Sequence, residues 1–188
     1  MKRFVAIAPF VVCVSSVAFA AAPLTVDPVH SSFIFKVTHA GIGHIWGRFT
    51  EYGGTFVIDE SDPSKSSFDI SANPASVQTG AQKRDEHLQS PDYFNTKQYP
   101  AITFKSTSVK KVSDNKLEAT GDLTLHGVTQ SITVPIEIVG KGEFPKGTPR
   151  IGIEATFSVK MSDYKIKGDP KSVADEIFIT ASLEGMQK

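Results

Sequence analysis

From Phe33 to the C-terminus, one segment after another alternates apolar and polar residues at period two, the pattern of a half-buried β-strand. Phe33, Phe35 and Val37 share a face opposite Ser32, Lys36 and Thr38, with Ile34 out of step. A second strand runs from Ile45 to Ile58, and the Gly53-Gly54 pair inside it predicts a bulge or sharp bend. Phe68, Ile70 and Ala72 line a third, which stops at Asn73-Pro74, and Ile102 and Phe104 open a fourth that reaches Val112. Leu117 to Leu125, Ile132 to Ile138, Ile151 to Met161 and Ile177 to Leu183 complete the set, with Gly140 to Pro149 reading as a loop. Pro135 falls on a polar face and predicts an edge or a bulge there, because proline donates no ladder hydrogen bond. About eight strands joined by short turns predict an all-β antiparallel meander, closed as a barrel to remove its edges. An open sandwich is the alternative.

One stretch departs from this pattern. Thr79 followed by Gln82 has the form of a capping box, and the helix formers Ala81, Gln82, Lys83, Arg84, Glu86 and Leu88 follow. Ser90-Pro91 stops that helix and starts a second turn carrying Tyr93 and Phe94. Only Ala81 and Leu88 are apolar in the first helix, so it reads as a polar lid pinned by Leu88, Tyr93 and Phe94.

The first twenty residues read as a signal peptide. Lys2 and Arg3 precede an apolar run through Val17, and Ala18-Phe19-Ala20 supplies the small-x-small cleavage pattern. The run is too short to span a bilayer. The single cysteine, Cys13, lies in it, and the large Val12 before it argues against a lipoprotein signal. The expected mature chain, residues 21–188, is one periplasmic domain of roughly 170 residues without a disulfide, held by its core alone. Losing Lys2 and Arg3 moves the balance of 20 basic and 20 acidic residues from zero to −2. That is no footprint for nucleic acid, and no later segment is apolar enough for membrane insertion.

The inward set mixes bulky Phe33, Phe35, Phe104 and Phe157 with small Gly47, Ala72, Ala119, Gly121, Ala155 and Ala181. An eight-stranded barrel either fills its interior with side chains or keeps space for one small ligand, and the pattern alone leaves both open. A filled barrel would suit an interaction protein, with Trp46 on the outer face as its contact.

The chemistry-bearing residues admit plain readings. His30, His39 and His44 form no metal-ligand spacing, so no metal or cofactor is expected. Asp27, His30 and Ser31 or Ser32 have the residue types of a hydrolytic triad, but triads are defined by geometry and there is no G-x-S-x-G elbow. The same residues serve equally as a turn and a strand start. Arg84, Asp85, Glu86 and His87 fit either a solvated helix face or a polar rim around a cavity mouth. His126, before Gly127, fits a turn or a ligand head.

Three long stretches carry a resemblance: DPVHSSFIFKVTHAGIGHIWGRF from Asp27 to Phe49, RDEHLQSPDYFNTKQYPAITFKS from Arg84 to Ser106, and GDLTLHGVTQSITV from Gly121 to Val134. Together they resemble the YceI-like family of bacterial secreted lipid-binding proteins. The resemblance implies a lipocalin-like eight-stranded barrel with an apolar tunnel, no catalysis, and a long-chain isoprenoid or alkyl amphiphile as partner. Carried over, Phe33, Phe35, Phe104, Leu123 and Leu125 become tail contacts, and Arg84, Asp85 and His87 head-group candidates. Val37, Phe49, Phe94, Val134, Ile153 and Phe157 extend the tail-contact set, and His126 the polar one. Where the family has an Arg-Ser-Asp-Phe-Gly-like segment, this chain reads KMSDYKIKG from Lys160 to Gly168, which implies an altered mouth. Pairing with a second copy is left open.

Overall fold

The computed structural model describes residues 22–187. The expected signal peptide and Cys13 lie outside them. Eleven strand segments form one antiparallel sheet: β1 (Leu24–Val26), β2 (Ser32–His39), β3 (Gly43–Phe49), β4 (Tyr52–Val57), β5 (Ser67–Ala72), β6 (Val77–Gln78), β7 (Ile102–Ser113), β8 (Lys116–Leu125), β9 (Val128–Glu143), β10 (Pro149–Lys160) and β11 (Val173–Met186). β1 pairs with both β4 and β11, which closes the sheet on itself. The pairs β1/β2, β3/β4 and β5/β6 are interrupted halves of single staves, so the wall is an eight-staved barrel, as the alternation predicts, and not a sandwich.

Register follows the predicted parity. Phe33, Phe35 and Val37 stand opposite Phe49, Gly47 and Ile45, and Gly47 lies directly under the Phe35 ring, where a side chain would collide with it. Lys36 pairs outward with Trp46 and with Phe178, its ammonium 5.7 and 5.0 Å from the two ring centres. Apolar side chains of all the staves fill one end of the barrel, around Leu24, Phe56, Phe68, Leu117, Ala119, Ile136, Ile153 and Leu183. Phe56, 1% exposed, stacks on Phe68 at 6.2 Å.

Four expectations need correction. The second stave breaks at Thr50–Glu51 and not at Gly53-Gly54, which pair regularly with Ser71 and Ile70. Gly54 is instead demanded by its φ of +131° and by the Asp69 backbone against its open side. Only half of Gly140 to Pro149 is loop: β9 runs to Glu143 and β10 starts at Pro149, leaving 144–148 as the hairpin tip. β1 and β6, of three and two residues, were too short to stand out as alternation.

The fourth concerns α1 (Gln82–Gln89), whose N-cap is Ala81 and carries no side-chain bond. Thr79 makes no capping box, because Asp85 accepts from its backbone N–H at 2.8 Å and its hydroxyl at 2.5 Å. The helix end is as expected. Ser90 accepts through its carbonyl from Tyr93 and Asn95, and α1 buries none of its residues fully.

Pro135 does sit at an edge. The β9–β10 ladder ends at the pair Ile136–Ala155, and the next position would need the N–H that Pro135 lacks. Beyond it, residues 128–135 of β9 pair with β8 alone, and residues 156–160 of β10 pair with β11 alone.

Candidate functional site

The end of the barrel opposite the packed core is hollow. A cavity of about 330 Å³ opens there, its wall overwhelmingly apolar. The barrel is therefore not filled by its side chains. Ile177, Ile179, Phe33, Ile102 and Phe157 point inward yet remain only half-buried, since their free faces look into this space.

β2 supplies Phe33, Phe35 and Val37, β3 supplies Phe49, and β8 supplies Leu123 and Leu125. β10 adds Phe157. Phe94, after the helix, reaches over the barrel end and meets Phe49 edge-on at 5.7 Å. These eight predicted tail contacts all line the cavity. Phe104, Val134 and Ile153 do not; they line a smaller space of about 60 Å³ deeper in the barrel.

The predicted polar groups divide. Arg84 and His87 stand at the mouth with His39, Thr79, Asp169 and Ser172. Arg84 donates to the Thr79 hydroxyl at 2.7 Å and carbonyl at 2.8 Å, which fixes its guanidinium against the rim. His87 lies 3.2 Å from Asp92 and edge-on to Tyr93. Asp85 is not a cavity residue, because its carboxylate is engaged by Thr79. His126 is not one either. It occupies the tight β8–β9 turn at φ +51°, beside Gly127 at +72°, with its Nδ1 3.1 Å from the Tyr164 carbonyl and its ring on Tyr99. Both turn residues have positive φ, as a two-residue hairpin requires.

Much of the wall lay beyond the candidate set. Ile45, Val159, Met161, Ile177 and Ile179 share the inward parity of their strands, and extending that parity would have found them. Leu88 and Tyr93 come from the lid, as its pins. Ile166, Asp169 and Ser172 come from the irregular segment 161–172, which carries no period. That segment is tied down by Asp175, whose carboxylate accepts from the Ser162 N–H and hydroxyl at 2.8 and 2.6 Å. Tyr164, 2% exposed, plugs the segment against Leu123, Leu125 and Met161. Burial, and then the Asp163 charge, push its phenol up to about 12, so it stays protonated.

The suspected triad residues sit at the other end of the barrel. His30 Nδ1 faces Asp27 at 2.8 Å, but the Ser31 hydroxyl donates to the Asp27 carbonyl at 2.7 Å and accepts from the Glu184 N–H at 2.9 Å. Ser31 is a structural link here and is not aligned with His30. Asp27, His30 and Glu184 also converge closely enough to bracket a cation, yet Arg150 already supplies the positive charge, 2.7 Å from Asp27 and 2.5 Å from Glu184. The group is a clasp joining β1, β10 and β11.

That clasp sets a pH dependence. The Arg150 guanidinium first, then His30, hold the Asp27 carboxyl well below its usual range. A folded pKa below the unfolded one adds stability above about pH 4 that is lost as the pH falls toward the folded value. Serine and backbone donors lower Asp59, Asp62, Asp169 and Asp175 in the same direction. Asp27→Asn isolates the clasp: urea melts should show it less stable than the parent at pH 7, with the gap narrowing toward pH 2. A constant gap would mean that the carboxylate's charge plays no part.

These features define a class: a closed eight-staved antiparallel barrel with one packed end and one apolar cavity beneath a helical lid. The chain belongs to the YceI-like family, whose domain model matches residues 24–185. It is 40% identical over 159 residues to the protein YceI of Escherichia coli O17:K52:H18, an alignment covering 85% of this chain and 83% of that one. Among solved structures it resembles Burkholderia cenocepacia BcnA, with a TM-score of 0.78, 23% identity, and coverage of 85% of this chain and 98% of that one. It also resembles a polyisoprenoid binding domain from Saccharophagus degradans implicated in plant cell wall breakdown, with a TM-score of 0.64, 16% identity, and coverage of 89% and 99%.

Proposed function

We propose that this protein is a non-catalytic periplasmic carrier that holds the tail of an isoprenoid-type or other long-tailed amphiphile in its barrel. The observation that carries this reading is the apolar cavity, which opens at a rim holding Arg84, His87 and Asp169. An apolar wall with a few polar groups at one end matches an amphiphile whose tail is buried and whose head stays at the mouth. Each buried methylene contributes about 0.8 kcal/mol, so the tail supplies affinity and the rim supplies orientation. Membership of the YceI-like family and the likeness to a polyisoprenoid binding domain support a lipid as cargo. The signal-peptide pattern of the first twenty residues supports export to the periplasm.

Native mass spectrometry of the protein purified from its own periplasm tests the reading. The expected result is a discrete adduct of several hundred daltons that extracts into organic solvent as a prenyl or alkyl compound. A bare protein mass, unchanged after incubation with quinones and fatty amphiphiles, would overturn it.

A further inference from the structure

The single tryptophan of the chain lies on the outer wall, away from the cavity. Trp46 is 57% exposed and stands in one cross-strand row with Lys36 and Phe178, from β3, β2 and β11. At the mouth end, Ala40 and Gly41 take φ of +48° and +68° and turn β2 tightly into β3. Ile42 closes that turn by donating to the His39 carbonyl at 2.9 Å, and its side chain is left 88% exposed at the tip. The tip is tied to the mouth. Ala40 donates to the carbonyl of Ser172, and the inner faces of the same two strands line the cavity with Val37 and Ile45.

We propose that this face, the β2–β3 tip together with the row Trp46, Lys36 and Phe178, docks on an anionic phospholipid bilayer. Its charge selects that partner. The expected mature chain has more acidic than basic residues, yet residues 28–50 contain Lys36 and Arg48 and no acidic side chain. Among the described residues neither cation is paired with a carboxylate. Lys36 sits against the two rings, and Arg48 donates to the Gln78 side-chain oxygen at 3.0 Å. Glu176, in the next row of β11, faces Lys160 across the ladder and accepts from the Ser158 hydroxyl.

The apolar groups fit a fluid surface. A folded partner needs a patch it can seal from water. A lone isoleucine on a projecting turn, with open space around both flanking glycines, offers no such rim, whereas acyl chains close around it. Tryptophan prefers the headgroup level, and lysine and arginine extend from there to the phosphates. Docked this way, the cavity mouth lies at the bilayer surface, where a long-tailed amphiphile crosses without passing through water. That last step rests on the carrier reading above; the docking itself does not.

Because Trp46 is the only tryptophan, its emission reports docking directly. The full mature protein is mixed with vesicles of phosphatidylcholine and phosphatidylglycerol in equal parts, their acyl chains brominated. Emission should shift to the blue and be quenched, with binding to pure phosphatidylcholine weaker by about tenfold or more. Ile42→Asn should weaken binding to the mixed vesicles by about tenfold or more, and Lys36→Gln by about fivefold. Val139→Ser, at a site on β9 that is 66% exposed, should leave it unchanged. Flotation with the vesicles measures the same affinities without the fluorophore. Unquenched emission with the mixed vesicles overturns the proposal. So does equal binding to pure phosphatidylcholine, or binding untouched by both variants. A blue shift that needs no vesicles and grows with protein concentration also overturns it, since that places a second copy on this face. An adduct in the native mass spectrum without docking removes only this surface; docking by a protein that never holds lipid removes only the carrier reading.

Discussion

Leu123→Arg is expected to empty the barrel. Leu123 is 5% exposed and lines both the mouth cavity and the smaller space deeper in the barrel, so an arginine there places a guanidinium in the path of any tail. A tail bound beside an unpaired charge in an apolar enclosure meets a penalty of several kcal/mol, a loss of more than about a hundredfold in affinity. Lipid retained through purification should disappear from the native mass spectrum while the β-sheet circular dichroism signal persists. Leu123→Gln is the milder companion, with a smaller loss expected in a chain that folds more readily. Normal retention by either folded variant would show that ligand does not travel through this part of the barrel.

Phe56→Ala should have the largest effect on stability. Phe56 is 1% exposed at the packed end, stacked on Phe68, with Gly185 held glycine-sized beneath its ring. Removing it leaves a cavity that surrounding strands cannot close, at a cost of about 3–5 kcal/mol. In a domain of this size that lowers the melting temperature by roughly 10 °C or more. Because Phe56 lines neither the mouth cavity nor the smaller space behind it, ligand affinity in the folded variant should be nearly unchanged. Urea denaturation and native mass spectrometry of retained lipid together check both halves, and a stability loss under about 1 kcal/mol would mean the core repacks around the gap. The contrast with Leu123 separates the end that holds the fold from the end that holds the cargo.

Most of the fold was legible because side-chain period fixes both strand and face. Phe33, Phe35 and Val37 point inward for the same reason that Lys36 and Trp46 point outward. Pro135 was legible too, since a missing donor has one consequence in a ladder. β1 was not: Leu24 and Val26 alternate, but three residues between prolines carry too little pattern. The capping box failed because Thr79 had two acceptors within reach, Gln82 by rule and Asp85 by folding, and sequence spacing does not choose between them. The candidate site divides the same way. Its wall follows from parity, whereas Ile166, Asp169 and Ser172 reach the mouth through tertiary bonds, among them Asp175 to Ser162 and the Ser172 carbonyl accepting from Ala40 at 2.8 Å. Such bonds join residues that share no local period.

The seam that closes the barrel joins its first strand to its last: Thr25 and Val26 stand opposite Met186 and Gly185. No ring of strands exists until β11 has been synthesised, so a nascent chain lacking it presents open edges and an uncovered apolar face. Loop closure over nearly the whole chain must precede the contacts that reward it, which places folding in the millisecond-to-second range or slower. A polypeptide that cannot complete itself early stays unclosed through most of its synthesis. It also stays exposed to proteases and to aggregation until its C-terminal strand arrives.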